Sequence, residues 1–293
     1  MRPGRPTDLD PLVKLWRREV TEGRQDIVPN ESRMRRILSR FDWEARSRVV
    51  EDGARLAGAV LVMSRPSPDG VIAGMYVAGP PRVASELARW GLQLSHAAGA
   101  AVTQTFMARD QGDALREAGM VAVRPWWRMD RSLVTSLPPP VPVDGCTLID
   151  GETAPPLSWA DMFNRTFADH WRFAPRVEDE VVDGKAPELC LMALTSEGRE
   201  PVAIAFGEVE AYPKDARPQP VGLISSVGTV PEHRRRGLAA WLVAEVMQRL
   251  RRAGARTASL YVDALNATRA SDIYRRLGFE VAFEAEVWEA THP

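Results

Sequence analysis

The chain has 293 residues, 45% of them hydrophobic, enough for one large or two ordinary domains with full cores. Its net charge of −1 excludes the basic excess of a general nucleic-acid binder. Its two cysteines, Cys146 and Cys190, give neither a metal-ligand spacing nor a disulfide framework.

An amphipathic helix is read in "DPLVKLWRREVTEG", residues 10–23, then a hairpin in "SRVVEDGARLAGAVLVMSRP" and a strand in "GVIAGMYVAGP". The helix "RVASELARWGLQLSHAAGA" follows, then the strand "AVTQTFMA", the short helix "GDALREAG" and the strand "MVAVRPWWRMDRSL". The proline run "SLPPPVPVDG", residues 136–145, cannot continue a helix or a central strand and reads as a stiff linker. Beyond it the order repeats. The helix "SWADMFNRTFADH" precedes two strands in "LCLMALTSEGREPVAIAFGEVEAYP" and a third in "GLISSVGTV". The helix "LAAWLVAEVMQRLRRAGA", the strand "TASLYVDAL", the helix "ATRASDIYRRLG" and the strand "FEVAFEAEVWEA" complete it. Units this long close their own cores, so the expectation is a tandem α/β architecture with a mixed sheet in each half. The expected boundaries are 1–135, a linker at 136–145, and 146–293.

No apolar run approaches the ~18 residues of a membrane span, and the N-terminus "MRPGRPTDLD" lacks the apolar core of a signal peptide. A cytoplasmic protein with no membrane or nucleic-acid partner and no metal is expected, as a monomer or homodimer.

Between the strand ending at Pro231 and the helix after Gly237 lies "EHRRRGLA". A helix start leaves backbone N–H groups unpaired and carries partial positive charge. A glycine there leaves room for a phosphate, and arginines supply forked donors. Together these features describe a pyrophosphate seat. A solvated helix start with an arginine face is the plainer alternative.

The turn resembles the Q/R-x-x-G-x-G/A signature of the GNAT acyltransferase superfamily, carried here by Arg234, Arg235, Arg236, Gly237, Leu238 and Ala239. A second segment, "LYVDALNATRASDIYRRLGFE", resembles the family's later strand–helix, with Asn266 and Tyr274 at matching positions. The whole pattern is similar to bacterial tandem-GNAT proteins of the mycothiol synthase type, strongly after the linker and weakly before it. The segment "NRTFADHWRFAPRVEDE", residues 164–180, resembles their acceptor-side loop.

The resemblance implies two tandem GNAT-like domains, each a mixed, mainly antiparallel sheet flanked by helices. It implies direct transfer of an acetyl group from acetyl-coenzyme A to an amine, on a small molecule or a peptide. Val227, Gly228, Thr229 and Val230 would run along the donor, and Arg234, Arg235, Arg236, Gly237, Leu238, Ala239 and Ala240 would face its phosphates. Tyr274 would protonate the departing thiolate. The general base is open: Glu208 and Glu210 share one strand face, and His170 is a further candidate because an imidazole can act as a base near neutral pH, but water can also carry the proton. The first half has no counterpart of the signature; Leu115 stands where Tyr274 does, and the position of Asn266 falls near Ala108. That half is expected to be catalytically silent. A longer acyl donor, a carrier-bound donor and a non-catalytic coenzyme sensor are the rival readings.

Overall fold

The computed structural model describes the chain except residues 27–30, 154–157, 183, 211–218 and 293. The elements begin with β1 (Arg2–Pro3), α1 (Leu9–Thr21), α2 (Glu31–Leu38), α3 (Trp43–Arg46), β2 (Ser47–Asp52) and β3 (Arg55–Arg65). They continue with β4 (Val71–Ala78), α4 (Pro81–Ala97), β5 (Ala100–Ala108), α5 (Asp113–Glu117) and β6 (Val121–Ser132). After the proline stretch come β7 (Cys146–Asp150), α6 (Trp159–Phe167), α7 (Glu178–Val182), β8 (Cys190–Thr195) and β9 (Pro201–Glu210). The last are β10 (Val221–Thr229), α8 (Leu238–Arg252), β11 (Thr257–Asp263), α9 (Ala270–Arg276) and β12 (Glu280–Thr291). The α/β class and the mixed sheet in each half are as the sequence pattern predicts. The elements it does not announce are short: β1, α2, α3, β7 and α7.

Two compact units form, Met1–Trp126 with Phe283–Pro293, and Trp127–Ala282. These compact units meet at Trp126/Trp127 and again at Ala282/Phe283, and the stretch 136–145 holds no helix or strand. Prolines stop hydrogen-bonded structure locally, but they carry no information about which neighbour the last strand chooses.

In the first unit the strand order is β1-β2-β3-β4-β5-β12. Strands β4 and β5 run parallel, joined through α4, and β2, β3 and β4 form an antiparallel meander. β12 lies beside β5 and antiparallel to it, from Ala285↔Ala108 to Thr291↔Val102. Val287 on β12 is fully buried, and the Trp288 ring seats directly over Gly112. If this strand belongs to the core of the first unit, Val287→Ala removes two buried methyl-sized groups and leaves a small cavity. A loss of about 2 kcal/mol is expected in urea unfolding followed by circular dichroism. A change below a few tenths of a kcal/mol would place Val287 at a yielding edge instead.

In the second unit the order is β6-β11-β10-β9-β8-β7. β7, β8, β9 and β10 are antiparallel, and β10 and β11 are parallel with α8 as the crossover. Leu238, Leu242, Val246 and Leu250 recur every four residues along α8 and are buried with Trp241 and Met247. Fully burying each such side chain stabilises by about 1.5–3 kcal/mol, which fixes the helix and hence the position of its N-terminus. No described helix is long and apolar enough to cross a membrane. Among the described residues no group of three or more His, Cys, Asp or Glu could hold a metal ion.

Candidate active site

The site is built where β10 runs out. Its pairing with β9 is regular from Val221↔Glu210 to Ser225↔Phe206 and resumes at Gly228↔Ile204. Ser226 and Val227 thus oppose the single residue Ala205, a β-bulge, and Ser226 takes a φ of 52° to make it. On the other side the parallel pairing with β11 ends at Ile224↔Leu260, although β11 continues to Asp263. The two strands separate over Ser225–Thr229, as the glycine in "SSVGT" hints.

Beyond β10 a single helical turn, Pro231–His233, leads to Arg234, and α8 starts after Gly237. Arg235 has a φ of 65° and Gly237 a φ of 95°. Successive backbone N–H groups in a turn that passes through left-handed residues can form a concavity that receives anions. Among the described residues no group accepts from the backbone N–H groups of Arg235, Arg236, Gly237, Leu238, Ala239 or Ala240. The first intrahelical bond runs from Trp241 N–H to the Gly237 carbonyl. Gly237 is exposed, and a Cβ there would come no nearer than 3.7 Å to Val143. Its glycine answers the backbone conformation, which an L-residue adopts only with strain.

The three arginines part company here. Arg236 is exposed, with Nη1 donating to His233 Nδ1 at 2.7 Å and Nη2 to the Asp144 carbonyl at 3.4 Å. Arg235 is exposed, and its guanidinium has no partner among the described residues. Arg234 is turned inward: Nε donates to the Thr229 carbonyl at 3.1 Å and Nη2 to the Thr166 carbonyl at 3.3 Å. Its Nη1 and Nη2 also hold both oxygens of Asp169, at 2.5 and 2.8 Å. Those hydrogen bonds draw the Asp169 carboxyl below its ordinary range.

Asp169 and Thr166 belong to the end of α6 and the turn after it. A Cβ on Gly228 would collide with the Thr166 side chain and lie 2.9 Å from the Phe167 ring. The glycine lets α6 press directly on the bulged strand. Phe167 stacks on Phe163 at 4.7 Å and meets the edge of His170 at 6.0 Å. His170 is half-buried, with Nδ1 3.0 Å from the Trp171 carbonyl. A carbonyl only accepts, so Nδ1 carries a proton, and in the neutral ring Nε2 is then the nitrogen with the lone pair.

Tyr274 lies on α9, 6% exposed, its ring edge-on to Phe279 at 6.1 Å. Its hydroxyl has no partner among the described residues, and burial pushes its pKa up to about 12. Asn266 turns its carboxamide oxygen back to Thr268, accepting from its N–H at 2.8 Å and its hydroxyl at 2.7 Å. It shapes the turn into α9, and its amide NH2 is what remains for a ligand. Glu208 is half-buried on β9 opposite Leu223; the side chain of Glu210 lies outside the described residues. Val230 is turned away, its N–H donating to the Val202 carbonyl and its side chain 2% exposed in the core. Asp169 and Thr166 are functional neighbours that sequence reasoning does not find, since nothing in "RTFADHW" says that an arginine 65 residues later reaches them.

Among the described residues the first unit has no such turn between β4 and α4. β3 and β4 pair without interruption from Ala59↔Ala78 to Arg65↔Ile72. Pro80 caps α4 and Pro81 opens it, so two of the N–H groups a nest would need do not exist. Leu115 is fully buried in that unit's core.

Residues 208–289 match the family model described as FR47-like protein. A mycothiol acetyltransferase of Thermobispora bispora is 30% identical over 168 residues, 55% of this chain and 55% of the relative. The chain thus aligns with about half the length of the curated relatives it matches. A GCN5-related N-acetyltransferase from Sphaerobacter thermophilus superposes with a TM-score of 0.79 at 22% identity, covering 100% of this chain and 95% of the other. A tandem GNAT protein from the clavulanic acid biosynthesis pathway superposes with a TM-score of 0.70 at 16% identity, covering 99% and 97%.

Proposed function

We propose that this chain belongs to the GCN5-related N-acetyltransferase superfamily, a reading supported by the FR47-like match and the shared fold, and that it transfers the acetyl group of acetyl-coenzyme A directly to an amine. The observation that carries the reading is the run of six backbone N–H groups, Arg235 to Ala240, without an acceptor among the described residues, beside the exposed Arg235 fork. A diphosphate is the ligand such donors fit. The opened end of β10, with Val227, Gly228 and Thr229, then takes the pantetheine arm and thioester.

In the reaction the amine nitrogen bonds to the thioester carbon, the C–S bond breaks, and the thiolate takes a proton from the Tyr274 hydroxyl. The nitrogen's surplus proton goes to a base. His170 is the side chain best suited, because its Nδ1 is engaged by the Trp171 carbonyl and its Nε2 has no partner among the described residues. Glu208, acting through water, is the second candidate. Trp171 beside His170 supplies an aromatic wall for the acceptor. The acceptor class follows from the reaction as an amine on a small molecule or peptide. The matched relatives are named mycothiol acetyltransferases, which makes the mycothiol scaffold one acceptor to include in a panel of amines with acetyl-coenzyme A, read by release of free thiol.

Among the described residues only the second unit carries such a turn, so calorimetry of the full chain with coenzyme A is expected to give one site per chain. Two sites would assign a ligand to the first unit; none would remove the donor reading.

A further inference from the structure

Arg234 opens the phosphate signature, yet its guanidinium spends all three nitrogens inside the protein. One goes to the end of β10 at Thr229, and one goes to the last turn of α6 at Thr166. The fork itself closes on both oxygens of Asp169. The Arg234 side chain is 25% exposed and that of Asp169 56%, so the pair sits at the rim and not in the core. The same stretch of α6 is held a second time, where Gly228 has no side chain and Thr166 and Phe167 press onto the bulge. His170 follows Asp169 immediately and rests edge-on against Phe167. The residues on either side of the ion pair are thus the donor turn and the candidate base.

We propose that Arg234 is a positioning residue rather than a phosphate ligand: with Asp169 it forms a latch that fastens the segment Thr166–His170 to the donor turn, so that filling the nest orders the acceptor side. The inference rests on the donor reading above for the coupling, but the latch itself stands on this geometry alone. A bidentate, charge-assisted pair with two further carbonyl acceptors has a fixed shape, which a lysine cannot reproduce. Asp169 can be changed without touching the phosphate turn, which separates the two roles.

The test uses the full-length chain, coenzyme A as probe, and the variants Arg234→Lys, Asp169→Asn and Asp169→Glu. Calorimetry is expected to give coenzyme A affinities within about threefold of wild type for all three. Hydrogen exchange over residues 163–173 is expected to speed up about tenfold in Arg234→Lys and Asp169→Asn. Coenzyme A should slow exchange there in wild type and in Asp169→Glu, where the carboxylate still reaches, but not in Asp169→Asn. A merely structural role would raise exchange without removing that ligand-dependent step. The proposal is overturned if Arg234→Lys weakens coenzyme A tenfold or more while Asp169→Asn leaves residues 163–173 unchanged. It also fails if Asp169→Asn keeps the full ligand-dependent protection. If wild type binds no coenzyme A, the donor reading falls, and exchange in Asp169→Asn against wild type alone decides whether the latch exists.

Discussion

Tyr274→Phe should cost on the order of 10²–10⁴-fold in turnover and leave coenzyme A affinity within twofold. The substitution deletes one oxygen that has no partner among the described residues and keeps the ring edge-on to Phe279, so the fold has no reason to respond. Burial sets the chemistry. At a pKa of about 12 the phenol stays protonated throughout the neutral range. A coenzyme thiol resembles cysteine, with a pKa of about 8.5, so a completed proton transfer from Tyr274 to a free thiolate runs uphill by roughly 3.5 units. In the proposed reaction the proton therefore moves while the C–S bond is breaking, when the sulfur is being forced out with its electron pair, and the tyrosinate then recovers a proton. Deprotonation of Tyr274 should accordingly give the pH–rate profile no alkaline limb below about pH 11. Steady-state rates of Tyr274→Phe within threefold of wild type, with thiol release measured directly, would remove Tyr274 from the reaction and favour a coenzyme sensor or solvent protonation.

Gly237→Val attacks the donor side. A β-branched residue at a φ of 95° costs about 1–3 kcal/mol, and the cheapest relief is to rotate the turn to negative φ. That rotation redirects the N–H groups of Gly237 and Leu238 and dissolves the nest. Coenzyme A binding is expected to weaken at least a hundredfold by calorimetry. Gly237 is exposed and has open space around its missing Cβ, so far-ultraviolet circular dichroism should be unchanged. Unaltered affinity in a folded variant would show that the phosphates bind elsewhere.

Both positions are legible in the sequence, and for the same reason: each lies at a junction whose local pattern is strong. The four-residue recurrence of Leu238, Leu242, Val246 and Leu250 fixes where α8 starts, and the arginines and glycine just before it mark the turn. Other features depend on partners far along the chain. Whether Arg234 points to a ligand or to Asp169 is a three-dimensional accident that a six-residue signature does not encode. Val230 reads as one more residue along the donor strand, but the bulge has already shifted the alternation and turned its amide to Val202. The choice of β5 as the partner of β12 is equally silent, because an alternating apolar strand fits any edge of matching length. Asn266 was legible as a position and not as a role, since a short amide before a helix serves its own backbone first.

The return of β12 to the first unit has a consequence for biosynthesis. Residues 127–282 must all be translated before Phe283–Thr291 exist to pair with β5. At about 5–20 residues per second, the nascent amino-terminal half waits roughly 10–30 s with one β-edge unpaired. During that interval the edge from Val102 to Ala108 is open to any extended segment, including the same edge on a neighbouring ribosome. Chaperone occupancy on translation-arrested chains should therefore peak before residue 283 leaves the exit tunnel and drop after it.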